Sequence, residues 1–448
     1  MTNGTSGARD LTMIEISFQP ERPNEGFPEE RATFGHLQIR ADGQTLTEGF
    51  DRFINSSRKG PLVSAYHLAE WLIWNWWRLK HEPRPRTNPH RAWCFAHMLT
   101  SIGEGYVWPN ITIWSDGYRS VVESKQTATA EEPAFRYFGA PTVLCSWEDV
   151  ETAIDHFTGA ILARLESEQV GETNLHRLWR DLERERSEQD LERYRRLEAQ
   201  LGFDPDEAPE TEMNARLDDA ATLGEEAVGE LAYQAALQSS GRTQMLSAAQ
   251  IFDMTRNDGF EFVCADAMSE TADWQSIAPW GTCAASDIGV AAAHAVRRML
   301  PPGKISDEKL ARIAGTSQYV LNYQPTRGPL SFALLDDNDR GHIVLSGTRD
   351  VNRRFELARL IGDRMMRSTG RLYPTTSARS YRQKAQRAFA AEFLAPIEEV
   401  IEIANGDFSD DRQDDIARNF GVSNMVIDRL LKNNRIIERN PGDYLDAP

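Results

Sequence analysis

Between two stretches rich in apolar residues lies one dominated by charge, from about residue 164 to 240. Its core, HRLWRDLERERSEQDLERYRRLEAQL, carries both signs at high density. A sparse apolar stripe of Leu178, Leu182, Leu191, Tyr194 and Leu197 runs through it at helical spacing. A helix of this kind packs one narrow face and leaves the rest in water. The two prolines of GFDPDEAPE interrupt it, and an acidic, helix-compatible run follows to Ala236. Such a stretch cannot close a core alone, so it predicts a helical connector between two globular parts. The length of 448 residues fits that division, because single cores stop growing well below it.

The net charge of −18 argues against bulk attraction to nucleic acid or to an anionic membrane. The four cysteines, Cys94, Cys145, Cys264 and Cys283, form no CxxC pair, which points to reduced thiols and a cytoplasmic setting. The first residues, MTNGTSGARDLTM, lack a signal pattern. No uncharged apolar run reaches the roughly 20 residues that span a bilayer.

The polar, Gly- and Pro-bearing residues 1–33 read as a flexible lead-in, and 34–163 as a Trp-rich α/β domain. HLQIRADGQTLTEGF alternates apolar and polar residues around Asp42–Gly43, a hairpin signal. SAYHLAEWLIWNWWRL reads as one helix. Seven of the eleven tryptophans (Trp71, Trp74, Trp76, Trp77, Trp93, Trp108, Trp114) fall in this domain's middle. With Arg78, Lys80, Arg84, Arg86 and Arg91 nearby they could stack nucleobases; in an acidic chain a core or partner surface is the leading reading. His90, Cys94 and His97 form an HxxxCxxH array with metal-compatible ligand types but no evident fourth ligand, so a core role leads there as well. GEGYVWPNI, from Gly103, lacks phosphate-loop spacing.

In the second part, LSFALLDDNDRGHIVL reads as a strand hairpin, followed by the helix RFELARLIGD (354–363), a loop carrying Pro374, and the helix QKAQRAFAAEFLAP. A zinc protease of the HExxH type sets two His four residues apart on one helical face, with a Glu beside the first. In this order and spacing the two helices resemble those of the ImmA/IrrE family of bacterial zinc-peptidase-like proteins, whose motifs read close to RFTLAHELGH and ExEANRFAAELLMP. Arg354, Phe355, Leu357, Ala358 and Gly362 match the first motif; Phe389, Ala390, Ala391, Glu392, Leu394 and Pro396 match the second. The resemblance spans about 280–436. It implies a zincin-like domain over 241–405 and a bacterial host.

The departures carry the functional expectation. The family's two His and its general-base Glu fall on Arg359, Asp363 and Leu360, and its third ligand falls near Gln383 or Ala385. One carboxylate cannot make a three-ligand site, and without Glu at 360 nothing in the motif takes a proton from a metal-bound water. No cofactor is expected and catalysis is not. Arg359 and Asp363, four residues apart, could pair. With Lys384 and Arg387 they would then form a charge cluster that cross-links the helices in place of zinc. The alternatives are separately solvated charges, or a surviving cleft in which Arg359, Lys384 and Arg387 bind an anion.

DDIARNFGVSNMVIDRLLKNN, within 406–448, fits a helix-turn-helix-like module, with Ile416, Phe420, Val422, Ile427 and Leu430 inside and Gly421 at the turn. Asn424, Arg429, Lys432 and Asn433 are its candidate DNA contacts, with Arg412 and Arg418 nearby; Asp410, Asp411, Asp414, Asp415 and Asp428 oppose them, so packing or protein contact leads. Cys283 has no nearby His in sequence and is a weak nucleophile candidate. The expectation is therefore an α+β multidomain protein. It is a non-catalytic pseudo-peptidase that binds a protein partner in a stress, toxin–antitoxin or phage-defence system. Against it stand an active metallopeptidase with a site rebuilt around residues such as His342 or His294, and a DNA-binding regulator.

Overall fold

A computed structural model describes residues 14–21, 26–85, 89–128, 133–237, 245–263, 280–323, 328–336, 340–367 and 370–438. Arg86, Cys264 and the Asn338–Asp339 part of the second hairpin's turn lie outside them. The protein is mixed α/β with helix predominating. Two compact units divide the chain, residues 1–209 and 210–448. None of the described helices is long and apolar enough to cross a membrane.

The first unit runs β1 (Ile14–Pro20), α1 (Pro28–Ala32), β2 (Phe34–Ala41), β3 (Gln44–Thr45), β4 (Gly49–Asp51), β5 (Ser56–Arg58), β6 (Leu62–Ser64), α2 (Ala65–Trp74), α3 (Trp76–His81), α4 (Arg91–His97), β7 (Ile111–Ser115), β8 (Arg119–Ser124), β9 (Phe135–Tyr137), β10 (Ala140–Ser146), α5 (Trp147–Ser167), α6 (Asn174–Ser187) and α7 (Gln189–Gln200). Its strands form small antiparallel sheets, β1–β2–β3 with β6 also on β2, β10–β8–β7, and β5–β4–β9. Asp42 and Gly43 both take positive φ (51° and 71°), the backbone a two-residue hairpin turn requires. Leu37, Ile39, Ile113 and Val122 of the sheets pack with Leu68, Trp76, Trp147, Ile154 and Phe157 of the helices in one core.

Three expectations change here. The lead-in is in part a strand: Ile14, Ile16 and Phe18 alternate, and β1 pairs with β2 from Ile14↔Ala41 to Pro20↔Gly35. The single helix expected over SAYHLAEWLIWNWWRL is two. Asn75 separates them, and its side-chain amide donates to the Trp71 carbonyl at 2.9 Å, competing with the helical ladder. The connector is not a separate body. Its first half, α6 and α7, packs on α2 and α3 inside the first unit. Glu185 of α6 is buried and accepts from Trp77 Nε1 at 2.7 Å and Arg195 Nε at 2.6 Å. A charged residue can be interior when it is answered in this way.

The second unit runs α8 (Glu210–Leu223), α9 (Glu225–Leu237), α10 (Ala248–Asp258), β11 (Phe260–Val263), α11 (Ala285–Arg297), α12 (Asp307–Ala314), α13 (Tyr319–Asn322), β12 (Ser331–Leu335), β13 (Arg340–Val344), α14 (Asp350–Met366), β14 (Leu372–Thr375), α15 (Tyr381–Leu394), α16 (Ile397–Ala404), α17 (Asp410–Phe420) and α18 (Asn424–Asn433). One antiparallel sheet, ordered β11–β13–β12–β14, contains the expected hairpin as β12–β13. Helix α15 packs against both α11 and α14. Gly362 permits the second of these contacts, because a Cβ there would overlap the Phe389 ring. The two motif residues are therefore two sides of one contact.

A fragment of residues 1–209 is expected to melt cooperatively, followed by circular dichroism. A fragment ending at 163 deprives Trp77 of Glu185 and Arg78 of Asp204, its partner at 2.5 Å, and is expected to lose that transition. A cooperative melt for residues 1–163 would contradict this assignment of α6 and α7.

Candidate functional site

The residues that depart from the zinc motif meet where α14 crosses α15. Leu360 points into the core and is 1% exposed. It takes no part in the polar contacts of the crossing. Arg359 Nη2 donates to the Thr376 carbonyl at 2.8 Å, to Gln386 Oε1 at 3.1 Å and to Gln383 Oε1. Both glutamines are buried, and each donates its amide to the Pro374 carbonyl, at 3.0 Å from Gln383 and 3.2 Å from Gln386. The guanidinium thus joins α14, α15 and the loop between them.

Asp363 is fully buried, and its partner is not Arg359. Arg382, in the first turn of α15, grips it with two nitrogens: Nε lies 2.8 Å from Oδ1 and Nη2 lies 2.7 Å from Oδ2. This fork-on-carboxylate geometry is the strong form of an ion pair. Burial alone would favour loss of the Arg382 proton; the Asp363 carboxylate reverses this and holds the group above its ordinary range. The expected charge cluster thus exists with other wiring. Arg359 and Asp363 each have cross-helix partners, and the second helix contributes Arg382, Gln383 and Gln386. Lys384 and Arg387, the cations expected there, are half-buried on the same helix.

Sequence reading missed two carboxyls around this crossing. Glu356, one turn before Arg359, accepts from Ser331 Oγ at 2.7 Å and Gly347 N–H at 3.0 Å, and burial raises its pKa. Glu230 of α9 is buried with Ser380 Oγ at 2.6 and 2.8 Å from its two oxygens. Ser380 is also the N-cap of α15 and accepts from Gln383 N–H. Burial pushes the Glu230 carboxyl up to about 7, and the Arg382 charge opposes this only in part. Glu226 and Gln234, four residues on either side of Glu230, complete a polar face of α9. Glu226 pairs with Arg367, and Gln234 accepts from Ser377 N–H at 2.7 Å. The 4-residue spacing of Glu226, Glu230 and Gln234 was the available signal; their partners, far along the chain, were not readable.

The remaining candidates separate. His90 is the N-cap of α4, its Nδ1 accepting from Trp93 N–H at 3.2 Å. Cys94 Sγ lies 3.9 Å from the Pro89 carbonyl. His97 is buried against Trp93, with Nδ1 2.8 Å from the Ile113 carbonyl and Nε2 2.9 Å from Glu82. Glu82 also receives Arg78; these two partners overcome the effect of burial and hold its carboxyl below the usual range. Among the described residues no three His, Cys, Asp or Glu side chains gather as a group that could hold a metal ion, and His90, Cys94 and His97 each have separate partners. His294 is paired with Glu392 at 2.9 Å, and Glu392 in turn accepts from Ile397 N–H at the start of α16.

Trp76, Trp77, Trp93, Trp108 and Trp114 are buried. Trp76 meets Trp77 and Trp147 edge-on, so these rings are core and not a nucleobase platform. Arg78 is buried as well, answered by Glu82 and Asp204. Cys283 is half-buried, and its carbonyl accepts from Tyr381 Oη at 2.6 Å. At the C-terminal end, Ile416, Phe420, Val422, Ile427 and Leu430 join the core of the second unit. Gly421 makes the turn at φ 68°, and Arg354 Nε donates to its carbonyl at 3.1 Å. Asn424 is hydrogen-bonded to Asp414 at 2.5 Å and Lys432 to Asp428 at 3.0 Å, while Arg429 is exposed. No family model, curated protein or solved structure matches this chain.

Asp363→Ala removes the two-point partner of the buried Arg382 and leaves it only Glu226, 3.9 Å away, so it should cost about 3–5 kcal/mol in urea melts. The double change Asp363→Leu with Arg382→Met should cost less than the single one, and a double change costing more would show that the pair is not coupled. Glu230 gives a pH signature. Its folded pKa of about 7 exceeds its ordinary 4.5, so its contribution is intact below about 4.5 and is lost as pH rises towards 7. Glu230→Gln should flatten that fall in stability, and an unchanged profile would exclude the assignment.

Proposed function

We propose that this chain is a non-catalytic relative of the ImmA/IrrE zinc-peptidase-like proteins, with a zincin-like second unit, that acts by binding a protein partner. One observation carries the reading. The side chains at the three departing motif positions are each committed to structure: Arg359 to Gln383, Gln386 and the Thr376 carbonyl, Leu360 to the core, and Asp363 to Arg382. In a metallopeptidase two of these positions would hold the metal and the third would take a proton from its water. Here the same space holds a hydrogen-bonded bridge between two helices.

The helix-turn-helix-like end of the chain serves this reading as a packing module. Its apolar residues belong to the core of the second unit, and Arg354, a motif residue, fastens its turn. Two of the candidate DNA contacts, Asn424 and Lys432, are bound to neighbouring aspartates, which weakens the DNA-regulator alternative. A bacterial stress, toxin–antitoxin or phage-defence setting is what the resemblance supplies, and the acidic, cytoplasmic-type composition is compatible with it.

The test is the metal content of protein purified without chelator, beside Asp363→Ala. Neither is expected to carry stoichiometric zinc. One zinc per chain in the parent, lost in Asp363→Ala, would restore a rebuilt metal site and with it the peptidase reading.

A further inference from the structure

One carboxyl of the second unit has hydrogen-bond geometry that its protonated form satisfies and its charged form does not. Glu230 of α9 is 4% exposed. Both of its oxygens lie against a single hydroxyl, Ser380 Oγ, at 2.6 and 2.8 Å, and among the described residues Ser380 is its one hydrogen-bond partner. A hydroxyl carries one hydrogen and an ionised carboxylate carries none, so in the charged form one of the two short contacts sets lone pair against lone pair. A carboxylic acid fills both. The hydroxyl donates to one oxygen, and the proton on the other is donated back to Oγ. The remaining lone pair of Oγ accepts from Gln383 N–H at 3.3 Å, which caps α15.

The charges around this pair do not supply the missing donors. Arg382 Nε and Nη2 are held by Asp363, and Arg382 Nη1 is 3.9 Å from Glu226, one turn before Glu230. Glu226 is itself paired with Arg367. Tyr373 of β14 lies under the Arg382 guanidinium at 5.6 Å, and on α8 the buried Arg216 and Asp219 are bonded to each other at 2.8 Å. Burial moves the Glu230 carboxyl up from its ordinary 4.5 to about 7; Arg382 and the more distant Arg387 oppose the rise, and Asp363 adds to it.

The same face of α9 grips the chain that leads into α15. Gln234 accepts from both the N–H and the hydroxyl of Ser377, each at 2.7 Å. We propose that the Glu230–Ser380 pair is a proton-operated clasp, in which the neutral carboxyl fastens α9 to the N-terminal end of α15 and its ionisation loosens that helix. The closed helix binds the proton more tightly than the open one. Opening therefore becomes easier as pH rises, and levels off once the closed form is itself ionised. What changes is a local opening of one helix, below the cost of unfolding the whole unit. The clasp goes beyond the binding reading above and does not depend on it.

The test follows hydrogen exchange in α9 of the full-length chain by mass spectrometry, each rate being divided by that of an unstructured peptide of the same sequence at the same pH. With 4.5 for the open form and about 7 for the closed one, the opening equilibrium of α9 should rise roughly tenfold between about pH 6 and pH 8 and then level off. That of α18 should stay flat. Glu230→Gln, neutral at every pH, should abolish the rise. The carboxyl is read directly in the parent from the carbon-13 shift of side-chain-labelled glutamate, where one resonance should titrate near 7. If Glu230→Gln does not fold, the two parent measurements decide alone. A flat response in α9, a rise shared equally by α18, a rise kept in Glu230→Gln, or no glutamate titrating near 7 would each overturn the clasp.

Discussion

A charge withdrawn from water has to be answered by another group, and at the crossing of α14 and α15 that requirement organises the second unit. Asp363 and Arg382 answer each other through a two-point fork, and Arg359 is answered by two glutamines and a carbonyl. The side-chain bonds among these run between helices and the Thr376 carbonyl adds the loop before α15, so the register of one helix on the other is set by polar geometry as well as by packing. The apolar contacts obey the same register. Leu360 can turn inward and Phe389 can lie on Gly362 only when the helices cross at this height. Ser380 extends the arrangement by capping α15 while holding Glu230 of α9. A metal would impose a comparable constraint with fewer residues; here several side chains share it.

The first unit solves a similar problem in a different place. Arg78 sits inside it with Glu82, Asp204 and the Ala92 carbonyl, and Glu82 continues to His97. Arg195 of α7 gathers Glu185 of α6 and Glu198 of its own helix. Buried ion pairs of this kind add little over well-packed apolar groups, while the loss of one partner is costly. Their effect is to make one packing of the charged helices far better than its neighbours. That is how a stretch that looks like a solvated connector can belong to a folded unit.

Much of the local structure was legible. Asp42–Gly43 announced a hairpin, the apolar runs of LSFALL and HIVL another, and the helices at 350–366 and 381–394 stood in the expected order. The candidate site was legible as a cluster but not in its wiring. Arg359 and Asp363 are four residues apart and would pair on an isolated helix, yet in the folded protein each is bonded to side chains of α15 instead of to the other. Lys384 and Arg387 were the obvious cations on that helix, and Arg382 took the role because its position in the first turn of α15 faces Asp363. His90, Cys94 and His97 have ligand-like spacing, but the helix cap, the Pro89 carbonyl and the Glu82–Ile113 pair draw them apart.

The sequence by itself determined that the fold is mixed α/β, that it holds more than one core, where most helices and hairpins lie, and that the helix at 354–363 carries Arg359, Leu360 and Asp363, with no His. These follow from periodicity, turn residues and side-chain chemistry, all local. Only the tertiary structure decided which charges meet, that Glu230 and Glu356 belong to the same crossing, and that α6 and α7 fall in the first unit while α8 and α9 fall in the second. The reason is distance along the chain. Asp363 finds Arg382 at 19 residues, Ser380 finds Glu230 at 150, and Trp77 finds Glu185 at 108, separations over which neither propensity nor spacing carries information.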